Sequence, residues 1–423
     1  MLDKIIKYII LYLLVIMADK NKNTEKLKYI NGPVNTFRME GHIDGKKKVI
    51  YLFGDYHMEP NEQTQCSDIR AIEIKDYLLQ NFLELEKNNK NVDFFLEIKP
   101  YFINEKNHHY RDNYIFSLMY FFKKCFNFDV KKNKIYTSTQ LPNVRFHYMD
   151  IRNLISFDYK NIFKDFYIFY TDPLSKYYLS NNFYLSIESI NMTIELMKKI
   201  HDNYIFIFDS LFKKNELTKT YNEKMYTEDY IFDENIAKNI IKKMYNCADK
   251  NIQNILNNIK KKYIKPKILK VILLTTKITN ILNEYIQFSN NYIETEKYIN
   301  KFTKLKLNLY YKLHILSEKT SMLGCILTDI YFIRRFLDKK YIESSVIYSG
   351  MHHTMDYIFM LIKYFNFKIT HFSYSNGDID EITTIIKNSK NNFNISELCN
   401  LFIPYSVITY QCSNVTTFPN IFS

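Results

Sequence analysis

The chain has 423 residues, of which 47% are hydrophobic and 17% aromatic, enough for a packed core and too much for a disordered chain. Its formal net charge of +13 is carried by lysines in short separated groups with no recognition-module signature, so it is read as solvated helix faces and nucleic acid is excluded as a partner. The skew toward Lys, Asn, Ile, Tyr (37) and Phe (33), with no Trp and seven Gly, is what AT-rich coding produces, so aromatic or lysine abundance alone does not indicate function.

Residues 8–18 form an apolar stretch behind Lys4 and Lys7. It is shorter than the roughly 20 residues that span a bilayer, and no small-x-small cleavage site follows it. Two readings stay open: a signal or anchor with weak membrane association, or a start at Met17 of a cytoplasmic protein. Segments 37–43 and 48–53, separated by Asp44-Gly45, read as a β-hairpin with a type I′ turn. Residues 67–85 carry apolar side chains near helical period, from Ile69 and Ile72 to Phe82 and Leu83. Two further strands, 91–98 and 144–149, lead to Glu97 and Asp150. Strand and helix thus alternate over the first 150 residues, which predicts an α/β fold whose central sheet is mostly parallel.

From about 157 to 340 the pattern changes to long lysine-rich helices, such as 235–263 and 281–317, with Pro266 as the clearest break. Sheet character returns with a strand at 345–349, an amphipathic helix at 354–365 and a strand at 368–372, a βαβ unit expected to cross over right-handed. The expected organisation is an N-terminal segment (1–30), a first half of the α/β core (31–155), a helical insertion (156–340), and a second half with the tail (341–423). Six cysteines, Cys66, Cys125, Cys247, Cys325, Cys399 and Cys412, lie far apart without a Cys-x-x-Cys pair, and read as reduced thiols in a cytosol-like compartment.

Two glycines open the same pattern after a β-branched and aromatic run: Gly54-Asp55-Tyr56-His57 and Gly350-Met351-His352-His353. Seven Gly and ten His in 423 positions give about 0.17 such spacings by chance (7 × 10/423). Glycine at a strand end permits a sharp turn or a close approach, and ligands of open α/β sheets bind at that edge. Four polar groups therefore stand at strand ends: His57 with Asp55, Glu97, Asp150 with Arg152, and His353 with His352. Two imidazoles and a carboxylate suit a divalent metal with an open position. His57 and His353 are the candidate metal ligands, Glu97, Asp150 and Arg152 the candidate catalytic groups. Spacing favours His353 over His352.

Plainer readings stand beside these. A single histidine is more often packed or at the surface, and Asp150-Arg152 reads more readily as a salt bridge flanking the sheet than as a catalytic pair. Glu97 follows an apolar run, so it must be paired, protonated or solvated. Asp329, Tyr331, Arg334 and Arg335 stand out in one helical stretch, with Tyr331 at neighbour spacing to Arg334 or Arg335, as a surface pair or as an arginine aimed at an acidic substrate. Adjacent His108 and His109 lie in a loop-like region, and His147 reads as packed.

The Gly54/His57, Glu97 and Gly350/His353 positions, with the helix and strand over 354–372, resemble the TraB, GumN and Tiki group within the erythromycin-esterase-like and ChaN-like clan. The resemblance covers roughly 37–152 and 341–375. Stretches 144–152 and 329–335 also look like uncharacterised proteins of large DNA viruses. What the resemblance implies differs by branch: Tiki members look like metal-dependent proteases, esterase-like members open lactones, and ChaN-like members bind haem. The expectation is a metal-dependent hydrolase of peptide or ester bonds, with a non-catalytic protein that binds haem or another small molecule as the alternative.

Overall fold

The computed structural model describes residues 28–57, 66–98, 114–129, 134–155, 187–212, 226–227, 230–231, 234–290, 296–389, 395–403, 411–420 and 422. The apolar stretch 8–18, Met17 and the pair His108 and His109 lie outside the described residues. In chain order the first half contains β1 (Tyr29–Asn31), β2 (Asn35–Ile43), β3 (Lys46–Asp55), β4 (Ile72–Glu73), α1 (Ile74–Lys87), β5 (Val92–Leu96), α2 (Tyr114–Cys125), β6 (Phe128–Asp129), β7 (Lys134–Ile135), β8 (Val144–Tyr148) and α3 (Arg152–Ile155). Then come α4 (Ile187–Phe212), β9 (Tyr226–Thr227), β10 (Tyr230–Ile231), α5 (Glu234–Tyr245), α6 (Lys250–Ile259), α7 (Lys265–Asn290) and α8 (Glu296–Asp338). The chain closes with β11 (Ser344–Gly350), α9 (Met351–Phe365), β12 (Lys368–Phe372), α10 (Ile379–Asn388), α11 (Ile395–Phe402) and β13 (Cys412–Asn414).

Six of these strands form the central sheet in the order β12-β2-β3-β11-β5-β8. β3, β11, β5 and β8 run parallel, and β2 is antiparallel to both of its neighbours, so the sheet is mixed and mostly parallel, as expected. The hairpin is as read: Ile43 pairs with Lys46, and Asp44 (φ 51°) and Gly45 (φ 73°) both adopt the left-handed conformation that a type I′ turn requires. β12 does not lie beside β11. It pairs with β2 at the sheet edge, with β2 and β3 between it and β11.

Period-2 alternation sends the two faces of each strand into different cores. Ile50, Leu52, Phe95 and Ile347 pack with α4 to α9 on one face. Tyr51, Phe53, Phe94, Leu96, Val346 and Tyr348 pack with α1, α2 and Phe422 on the other. The helical region is therefore a layer continuous with the sheet. Its longest member, α8, is fixed to β3 at its end by Lys48, whose ammonium donates to the carbonyls of Phe336 (2.9 Å), Lys339 (3.0 Å) and Ile342 (2.6 Å). The Phe336 carbonyl is one that a helix C-terminus leaves open, and the other two belong to the turn that follows the helix.

Three expectations need correction. The helix predicted from residue 67 begins at Ile74, because Asp68 and Arg70 close a turn, Ile69 is 99% exposed and Ile72 pairs with β1. Pro266 does not break the chain of helices. It stands in the first turn of α7 directly after a π-helical turn, Lys260–Ile264, and this wider turn absorbs the missing N–H and the ring. The cysteines are not all thiols: Cys66 and Cys412 form a disulfide across 346 positions, with Cα atoms 5.1 Å apart. Sequence distance concealed this, since β13 pairs with β1, and the Cys66 N–H donates to Asn31 at the end of β1. No helix among the described residues is long and apolar enough to cross a membrane.

Cys125, Cys247, Cys325 and Cys399 remain thiols. Thiol titration of denatured, unreduced protein is expected to find four free thiols, with six after reduction. Reduction is expected to lower unfolding stability in urea by about 2–5 kcal/mol, as for other disulfides closing long loops; equal urea midpoints with and without reductant would contradict the bridge.

Candidate functional site

β3, β11 and β5 stand side by side in parallel register, with Gly350 opposite Asp55 and Tyr348 opposite Leu96, so their carboxyl ends deliver Asp55, Gly350 and Glu97 to one edge. The centre of the cluster is Glu97, whose side chain is almost wholly buried. Its Oε2 accepts the Gly350 N–H at 2.7 Å, and its Oε1 accepts from Arg152 Nη2 at 2.8 Å. Gly350 is the N-cap of α9, so the carboxylate also sits where a helix dipole favours negative charge.

Both histidines turn Nε2 toward this carboxylate. His57 Nε2 lies 3.5 Å from Oε2, and His353 Nε2 lies 3.1 Å from Oε1. His353 Nδ1 is held from behind by Asp329 at 2.6 Å, while the Asp55 carboxylate lies behind His57 Nδ1 at 3.6 Å, beyond hydrogen-bond distance. Asp55 also accepts the His57 backbone N–H (3.0 Å) and a bond from Gln411 (2.6 Å), and His57 takes a left-handed φ of 57°, uncommon for a side chain of this size. Arg152 grips Asp150 through Nε and Nη2, both at 2.9 Å, which fixes the guanidinium plane. Helices α8 and α9 therefore complete the edge with Asp329 and His353.

The glycines are explained by what lies over them. A Cβ at Gly350 would come within 2.6 Å of His57 Nε2, and one at Gly54 within 2.4 Å of Met351 Sδ. Each motif's glycine makes room for the other motif.

The electrostatics follow the pairing. Burial would raise the Glu97 carboxyl, but His353, His57 and Arg152 hold it well below the usual carboxylate range. Burial opposes a charge on His57, yet its contacts with Asp55 and Glu97 lift it from 6.5 to about 10. His353, also working against burial, is held well above its ordinary value by Asp329 and Glu97. Burial raises Asp329 and pushes Asp356 well above the usual range. The His57 side chain is 38% exposed while His353 is sealed, so solvent reaches the cluster from the His57 side.

Glu97, Asp150, Arg152, His57, His353, Gly54, Asp55, Gly350 and Asp329 are thus gathered at one edge. Two of the expected residues are elsewhere. Arg334 donates to the Asn246 carbonyl at 2.8 Å and faces Asp338 at 3.8 Å, so it does not support the site. His352 points outward from α9 and faces Cys399 Sγ at 3.9 Å. Sequence reasoning missed Gln411, Asp356 and Cys325, the last within 3.7 Å of Arg152. Asp356 alone carried a signal, three positions after His353 in a helix.

Among the described residues no group of three or more His, Cys, Asp or Glu side chains is arranged to hold an ion as they stand. The donor chemistry nevertheless fits one: carboxylates at both Nδ1 atoms are the usual backing of metal-binding imidazoles. His353 Nε2 is buried and, despite its proximity to Glu97, lacks a partner in hydrogen-bond geometry.

Fold and site together define an α/β protein with a mostly parallel sheet, a helical layer on one face and a carboxylate-centred histidine pair at the strand ends. The chain belongs to a family of unknown function, DUF5847, whose model matches residues 28–423. It is similar to three proteins of Acanthamoeba polyphaga mimivirus: Uncharacterized protein R161 (32% identical, covering 93% of this chain and 98% of that one), R706 (31%, 93% and 97%) and R160 (30%, 96% and 98%). No solved structure matches it.

Substituting Gly350→Ala is expected to push His57 away from Glu97, lowering its pKa from about 10 toward 6.5. An NMR titration of the imidazole reads this directly. An unchanged titration would refute the close-approach role of Gly350.

Proposed function

We propose that the protein is a hydrolase of peptide or ester bonds, working with a divalent ion held by His57 and His353 together with Glu97. The observation that carries the reading is that both imidazoles present Nε2 to one buried carboxylate, each backed by an aspartate. The resemblance of the two Gly-x-x-His motifs and Glu97 to the TraB, GumN and Tiki group supports the same reading and favours a small ester or a peptide as substrate.

When bound, such an ion supplies Lewis acidity and lowers the pKa of water. The chain's own residues do the rest. Asp329 fixes the His353 ring at Nδ1, and Asp55 holds the His57 backbone N–H, so that both Nε2 atoms converge. Without the ion, Nε2 of His57 keeps its proton up to about 10, so ion binding displaces that proton. Glu97 lies well below the usual carboxylate range and is a poor proton acceptor, so its contribution is charge and position rather than base catalysis. Arg152, locked by Asp150, holds fixed positive charge beside the place where an oxyanion develops. Substrate arrives from the exposed His57 side.

The test combines calorimetric titration of Zn²⁺ and Mn²⁺ into the purified full chain with hydrolysis of p-nitrophenyl esters and a labelled casein. One ion per chain is expected, with its binding lost in His57→Ala and hydrolysis reduced about 100-fold or more. Ion binding that survives His57→Ala, or esters and casein left intact by the ion-loaded wild type, would defeat the proposal.

A further inference from the structure

On the open edge of the sheet, β8 and α8 enclose a cavity of about 340 Å³, within the range of small-molecule sites. Phe95 and His147, with ring centroids 4.7 Å apart, line it together with Tyr136, Tyr331, Arg145 and Arg335. The charges of this lining do not cancel. Asp93, fully buried behind it, is occupied by the Arg145 guanidinium and by His147 Nε2 at 2.6 Å. With Nε2 donating to Asp93, His147 Nδ1 is an acceptor, and it receives Arg335 Nη2 at 3.2 Å. Burial, then Arg335 and Arg145 against Asp93, lower the His147 pKa, so the ring is neutral at pH 7. Asp93 and Arg145 offset each other. Arg335 is left over.

Every other described arginine stands within 4.0 Å of a carboxylate: Arg38 with Glu40, Arg70 with Asp68, Arg145 with Asp93, Arg152 with Glu97 and Asp150, Arg334 with Asp338. Arg335 has none among the described residues, and its Nε is buried without a hydrogen-bond partner. A guanidinium that lines a cavity, lacks a counter-ion and keeps a buried donor open fits a carboxylate or phosphate, which it can bind through two donors. The aromatic walls suit a flat or apolar body attached to that group.

We infer that this cavity binds a small molecule carrying a carboxylate or phosphate on an aromatic body, with Arg335 as the residue that recognises the anion. The site is separate from the histidine cluster and does not depend on the hydrolase reading, so His57→Ala should leave its affinity unchanged. Calorimetric titration of the full chain with benzoate, phenyl phosphate and benzyl alcohol provides the test. Benzoate or phenyl phosphate is expected to bind with a Kd at or below about 1 mM, the tighter one identifying the head group, and benzyl alcohol more weakly than either. Arg335→Met should weaken the bound anion by at least about tenfold, while Arg334→Met, whose guanidinium is tied to Asn246 and Asp338, should not. Failure of both anions to saturate the wild type, equal affinity for benzyl alcohol, or unaltered binding by Arg335→Met would each overturn the inference. The comparison of acid with alcohol needs no variant, so it stands even if Arg335→Met does not fold.

Discussion

The site depends on keeping a charge at Glu97. Burying an ionised carboxylate costs several kcal/mol before any partner is counted, and this one is surrounded by a guanidinium, two imidazoles and a backbone N–H. The partners come from different elements: Arg152 opens α3, His57 follows β3, His353 begins α9, and Gly350 ends β11. Asp329 of α8 then fixes His353. A single carboxylate thus ties the sheet's carboxyl edge to both helices that cover it. Its removal would leave three cationic groups facing one another with only their outer aspartates, Asp55, Asp329 and Asp150, to offset them.

Much of this was legible in the sequence because strand ends are marked by short-range signals. The Asp44-Gly45 turn, the apolar runs into Gly54 and Gly350, and the carboxylates after β5 and β8 all sit where local chemistry demands them. What was illegible depended on contacts distant in sequence or on helix rotation. Arg334 and Arg335 are adjacent, yet about 100° of helical turn sends one to the Asn246 carbonyl and the other to His147. The disulfide and Gln411 could not be inferred, since only the pairing of β13 with β1 brings the tail beside Asp55. Ile69 and Ile72 fall on one helical face by spacing, yet Ile69 is exposed and Ile72 belongs to a strand, so the start of α1 is not legible from periodicity.

Helix α8 links the histidine cluster and the edge cavity. It carries Asp329 into the histidine cluster and Arg335 into the edge cavity, and its end is fixed to β3 through Lys48. Phe332 packs between them, against Phe95 on one side and Tyr357 on the other. The helix is thus a rigid spacer whose register against the sheet sets the positions of both groups at once.

The strand order has a consequence for how the molecule is made. β11 lies between β3 and β5, yet Gly350 is 253 positions beyond Glu97. At about 5–20 residues per second the ribosome needs roughly 13–50 s to bridge that distance. During this interval β3 and β5 have no common neighbour, and each exposes a hydrogen-bonding edge beside its apolar rows. A nascent chain in that condition is a natural client for chaperones, and crowded synthesis would select for whatever shields the gap until the last central strand arrives.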